Sequence, residues 1–207
     1  FASLGAYIAY LGMDTIFPFT STIPIPFSHI FAFIFAILEV LLILTLIKTK
    51  PKTSATLLLL SGITIGMLAN VCISILRYWA SPDKLVLMER WWFGSTQVLG
   101  YRSIIVILVT SIPIFVFLWS YSGSLDQYTF DTEIAQSRGV DIPKLQRRLF
   151  LVVSILTAVI VAEVGPIGFV GLIVPHITRY FVGSSHRFVF PYSALIGGTF
   201  LLLCDIL

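Results

Sequence analysis

Four stretches of this chain, residues 30–47, 55–76, 101–121 and 188–204, are apolar for about the length needed to cross a bilayer. Lipid gives backbone N–H and C=O groups no partner, so runs of this kind are read as helices. Charged residues make up only 11% of the chain and its mean hydropathy is +0.99, whereas soluble domains carry roughly 25% charge. A water-facing globule is excluded, and the fold class is all-α, a polytopic transmembrane bundle. Cys72 and Cys204 lie inside apolar runs as small hydrophobes, with no disulfide framework implied. No basic stripe with interleaved aromatics is present, so nucleic acid is not an expected partner. The chain opens on Phe1 and closes just past an apolar run. It is read as one transmembrane domain over residues 1–207, an internal portion of a longer subunit.

One apolar stretch is broken. Residues 163–183 read EVGPIGFVGLIVPHITRYFVG, with Gly165, Pro166, Gly168, Gly171 and Pro175 inside one helical length. Glycine costs a helix interior about 1 kcal/mol and proline about 3. Broken backbone at bilayer depth survives only where protein or a water-filled cavity covers it, and interrupted segments also mark transport sites. If the turn lies at residues 165–171, the return leg over 172–182 is about 16 Å long, against a hydrocarbon core of about 30 Å. A half-span lodged among other helices is expected. Arg179, His186 and Arg187 at its far end favour the cytoplasm. His176 follows Pro175 and is read as making a structural hydrogen bond, not a metal bond.

The remaining segments set a topology. Residues 1–13 are uncharged and short, the remainder of a helix. Residues 14–29 form an exposed loop with Pro18, Pro24 and Pro26. Glu39 lies mid-span in the run 30–47, where an ionisable residue faces the bundle interior; helix packing outweighs a proton role for it. Lys48, Lys50 and Lys52 place the next loop in the cytoplasm. Gly62 and Gly66 stand four residues apart on the following span, a weak pattern for close helix approach. Residues 82–92, PDKLVLMERWW, look like a short external amphipathic helix, followed by an inward span bent at Pro113. Residues 122–148 are the most polar part of the chain. Within them one cytoplasmic helix is expected over 125–138, ending at Gly139, a common helix C-terminal residue. A short outward span over 149–162 then leads into the broken stretch.

Catalytic and nucleotide motifs are absent. There is no G-x-x-x-x-G-K-[ST] loop, no H-E-x-x-H and no nucleophile elbow, and His29, His176 and His186 have no metal-ligand spacing. No enzyme, metal site or cofactor is expected.

A resemblance is carried by GPIGFVGLIVPHITR at residues 165–179, VGSSHR at 182–187, PYSALIGG at 191–198 and LLLCD at 201–205. LLSGI at 59–63, WWFGS at 91–95 and AQSRGV at 135–140 follow in the same order. Together they closely resemble permease subunits of the iron-siderophore/cobalamin class of bacterial ATP-binding-cassette (ABC) importers. The chain departs from that pattern at Ser185, where the family often has Asp, and at Arg138-Gly139, where it has Leu-Gly. About two helices at the start and one at the end of the family pattern are also missing. The resemblance implies a type II ABC importer permease fold in the bacterial cytoplasmic membrane, with a short broken half-span and a cytoplasmic coupling helix. Its implied partners are a second permease subunit, identical or homologous, two cytoplasmic ATPases that hydrolyse the ATP, an external substrate-binding protein and membrane lipid. It further implies an iron chelate as cargo, a ferric siderophore first, with haem or cobalamin as alternatives. Thr132, Glu133, Ala135, Gln136 and Gly139 would form the ATPase-coupling segment, with small Ala135 allowing close approach. Lys84 and Arg90 are the candidates for docking the binding protein. The reading of another class is an ion-coupled secondary transporter with Glu39 as proton carrier.

Overall fold

The computed structural model describes residues 1–16, 27–49, 55–94 and 101–206. The helices in chain order are α1 (Ala2–Ile16), α2 (Phe27–Thr49), α3 (Ala55–Trp79), α4 (Pro82–Phe93), α5 (Tyr101–Ser120), α6 (Ser122–Phe130), α7 (Thr132–Ser137), α8 (Ile142–Val164), α9 (Val170–Val182) and α10 (His186–Ile206). No strand occurs among the described residues. Four segments are long and apolar enough to cross a membrane: Phe27–Thr45, Leu60–Trp79, Tyr101–Ser120 and His186–Ile206. These match the four runs read from the sequence. The centre of the proline-rich loop at 17–26, the lysine loop at 50–54 and residues 95–100 lie outside the described residues.

The chain forms two compact units, Phe1–Ser103 with Ser154–Pro166 and Ile104–Val153 with Ile167–Leu207. In the first, α1 packs on α2 through small residues. Ala6, Ala9, Ala32 and Ala36 are buried, and a Cβ on Gly5 would stand 2.4 Å from the Phe31 carbonyl oxygen. Small side chains let two backbones approach at a depth where no hydrophobic force drives helices together. The amphipathic α4 closes this unit. Pro82 occupies its first turn behind Ser81, and Met88 and Trp91 are its buried face. The Tyr7 hydroxyl donates to the Met88 carbonyl oxygen at 3.0 Å, and Arg77 of α3 pairs with Glu89. Among the described residues, Gly62 and Gly66 have open space beside them and make no close helix contact.

In the second unit α9 lies against α10, with Val174 beside Gly197 and both Val174 and Thr178 buried. Its 13 residues span about 20 Å, starting two residues before the expected return leg and still short of a bilayer core of about 30 Å. Pro175 removes one backbone donor inside the helix, while the buried Thr178 hydroxyl donates to the Val174 carbonyl oxygen at 2.8 Å. α8 begins earlier than the polar sequence suggested. Asp141 caps it by accepting the Lys144 N–H at 3.1 Å, so the helix starts at Ile142 and carries its basic residues in its first turns.

Candidate functional site

The polar end of the second unit is an elbow of two short helices, where one helix over 125–138 was expected. Asp131 makes the break. Its backbone is extended at φ −160°, its N–H closes α6 on the Gln127 carbonyl oxygen, and its Oδ1 accepts the Ile134 N–H at 3.4 Å to start α7. Two helix ends compete at one residue, and a capping aspartate serves both. The far end of α7 behaves as expected. Gly139 is left-handed at φ +86°, its N–H reaches the Gln136 carbonyl oxygen at 2.9 Å, and the Val140 N–H reaches that of Ala135 at 3.0 Å. This pair of bonds is the Schellman arrangement that glycine permits.

The elbow exposes apolar side chains. Phe130 is 87% and Ile134 42% exposed, and Gln136 and Ser137 also face outward. Ala135 is wholly buried. Within this chain its small size lets α7 pack closely. Thr132 and Glu133 lie in α7, their side chains outside the description. Phe130 and Ile134 were missed from the sequence, although an aromatic and an aliphatic four residues apart in a polar segment are a readable signal.

Several contacts hold the elbow in its unit. Gln146 and Arg148 at the start of α8 donate to the Tyr128 and Tyr121 hydroxyls at 2.7 and 3.2 Å. Lys144, 2.8 Å from Asp141, holds the Asp141 carboxyl below the usual carboxylate range. Asp126 of α6 reaches the start of α10. Its Oδ2 accepts the Ser185 hydroxyl at 3.0 Å, and its Oδ1 accepts the His186 backbone N–H at 2.7 Å and faces His186 Nδ1 at 2.6 Å. Partial burial pushes the Asp126 carboxyl up, but the His186 backbone and ring bonds and the Ser185 bond outweigh it and hold it below its ordinary value. Arg179 in the last turn of α9 lies 3.4 Å from His186 Nε2. A guanidinium only donates, so Nε2 accepts and Nδ1 carries the proton given to Asp126.

The residues of the broken stretch are divided by this geometry. Gly165 and Pro166 belong to the first unit, where Gly165 sits against Trp91 and Gly94 at the end of α4. Gly171, Pro175 and Arg179 share one face of α9 and line a groove of about 390 Å³ with α10 residues including His186 and Ser193. Gly168 has open space beside it, and His176 is exposed. On α4, Arg90 is exposed, while Lys84 is half-buried and donates to the Leu11 carbonyl oxygen at 3.3 Å.

The family model of the FecCD transport family matches residues 1–207. The vitamin B12 import system permease protein BtuC of Vibrio vulnificus is 35% identical over 153 residues, 74% of this chain and 46% of that protein. The hemin transport system permease protein HmuU of Yersinia pestis is 32% identical over 150 residues, 72% of this chain and 45% of that one. The molybdate import system permease protein MolB of Haemophilus influenzae is 31% identical over 153 residues, 73% and 45% of the two chains. The matched region is thus less than half the length of these curated relatives. A solved metal-chelate type ABC transporter in an inward-facing conformation superposes with a TM-score of 0.84 at 26% identity, covering 99% of this chain and 62% of that one. The family model spans all 207 residues, and the chain belongs to the FecCD transport family.

Proposed function

We propose that this chain is part of the permease subunit of an ATP-driven importer, and that its α6–α7 elbow receives the push of a cytoplasmic ATPase. The observation that carries this reading is the exposure of Phe130 and Ile134 on a capped, two-helix elbow at the polar end of an otherwise apolar chain. Exposed apolar side chains rimmed by polar ones mark protein contacts. Ile134, Gln136 and the turn at Gly139 form the contact face with Phe130, Thr132 and Glu133 flank it, and Ala135 supports it from inside. ATP is hydrolysed in two partner subunits, and a second permease subunit completes the pathway. An external binding protein docks near α4, where exposed Arg90 is better placed than Lys84 to meet an acidic residue.

The cargo is a metal chelate, with a ferric siderophore as the first candidate. The resemblance of the broken stretch and the fold shared with a metal-chelate transporter support that class. Cobalamin is the second reading, supported by the 35% identity to a vitamin B12 permease. The test is uptake by the full-length subunit with its ATPase and binding protein in proteoliposomes, across ferric siderophores, haem and cobalamin. Uptake of a ferric siderophore that needs ATP and no ion gradient is expected. Transport of cobalamin alone would move the cargo to the second reading, and gradient-driven uptake without ATP would sink the importer reading in favour of a secondary transporter.

A further inference from the structure

One carboxylate on α6 reaches across some 60 residues of sequence to the corner where α9 gives way to α10. Asp126 and Ser185 are separated by 59 positions, yet their side chains meet at 3.0 Å, and the same carboxylate takes the first N–H of α10 at 2.7 Å. The His186 side chain is only 10% exposed, its ring held between Asp126 and Arg179. The order is fixed by hydrogen-bonding capacity: cationic Arg179 donates to the ring, and the ring donates to anionic Asp126. At the start of α10 the positive end of the helix dipole adds to the hold on that carboxylate. Trp119 at the end of α5 donates to the Arg187 carbonyl oxygen at 3.2 Å, securing the same corner from another side.

We propose that Asp126 is a positioning residue that locks α6 to the first turn of α10 and, through His186 and Arg179, to the last turn of α9, so that a displacement of the elbow moves both helices as one body. The link rests on the importer reading above. It is short, charge-assisted and shared by side-chain and backbone donors, so it resists shear better than apolar contact, which slides. α9 and α10 form the groove lined by Gly171, Val174, Pro175, Arg179 and His186, so the same body carries the half-span with it.

The test uses the full-length subunit assembled with its ATPase and binding protein. Asp126→Asn is expected to keep basal ATP hydrolysis per complex within twofold while lowering uptake per ATP at least tenfold. Ser185→Asp should cause a similar loss, because it sets a second carboxylate against the first. Combining Ser185→Asp with Asp126→Asn should recover at least half of the uptake, since one carboxylate and one amide then face each other. If single variants fail to assemble, the Asp126→Cys, Ser185→Cys pair is oxidised to a disulfide, and uptake should return on oxidation and fall on reduction. Unchanged uptake per ATP in Asp126→Asn, or a formed disulfide without recovery, overturns the link alone. Wild-type uptake that ignores ATP overturns the importer reading and the link with it.

Discussion

A Cβ on residue 165 would stand 2.7 Å from the Trp91 carbonyl oxygen and 2.9 Å from Gly94 Cα, on backbone at φ +77°. Both neighbours are backbone atoms, which no side-chain rotation can clear. Gly165→Ala is expected to destabilise by more than the roughly 1–2 kcal/mol of left-handed strain alone, read as a lower melting temperature of the full subunit in detergent. Gly168→Ala, with open space beside it, should stay within about 0.5 kcal/mol. Equal losses at the two sites would refute the close-approach account. Asp126 carries a pH prediction. Its folded carboxyl titrates below its unfolded value, so its contribution is present above the unfolded value, near pH 4, and is lost as pH falls through the folded one. The stability gap between wild type and Asp126→Asn should therefore be flat at neutral pH and shrink below about pH 4. A gap that grows on acidification would contradict the sign.

At the scale of elements, local chemistry set boundaries that hydropathy blurred. The polar segment looked like one helix because its residues tolerate helix, but Asp131 ends one and caps the next. The span after it looked short because Arg147 and Arg148 are charged, yet Asp141 starts α8 ahead of them. Phe130 lies at the elbow with most of its surface uncovered by the described residues. Burying a phenylalanine in a partner's groove contributes about 1.5–3 kcal/mol. On the proposed coupling role, Phe130→Ala is expected to weaken ATPase association about 10- to 100-fold with little change in the subunit's own melting. Ala135→Trp should behave in the opposite way, since a ring has no room at a wholly buried alanine. It should lower melting and, through that, assembly. Full stability in Ala135→Trp would disprove the packing role.

For the whole molecule, membership of the FecCD transport family and the superposition on a metal-chelate transporter rest on the entire chain. The two compact units divide within α5, within α8 and between Pro166 and Ile167, so the broken stretch contributes to both. Much of this was legible in the residues. Apolar runs of bilayer length dictate helices because lipid leaves the backbone no other partner. Five glycines and prolines in 165–175 dictate a turn, the length left over dictates a half-span, and the order of residues there carries the family resemblance. What the residues could not display is which side chains meet. Whether Ala135 faces a partner or its own core, whether Lys84 points to solvent or to the Leu11 carbonyl, and that Asp126 finds Ser185 and His186 are matters of tertiary packing. Sequence periodicity reports a residue's place on its own helix, and only the packed structure brings two helices 60 residues apart to one hydrogen bond.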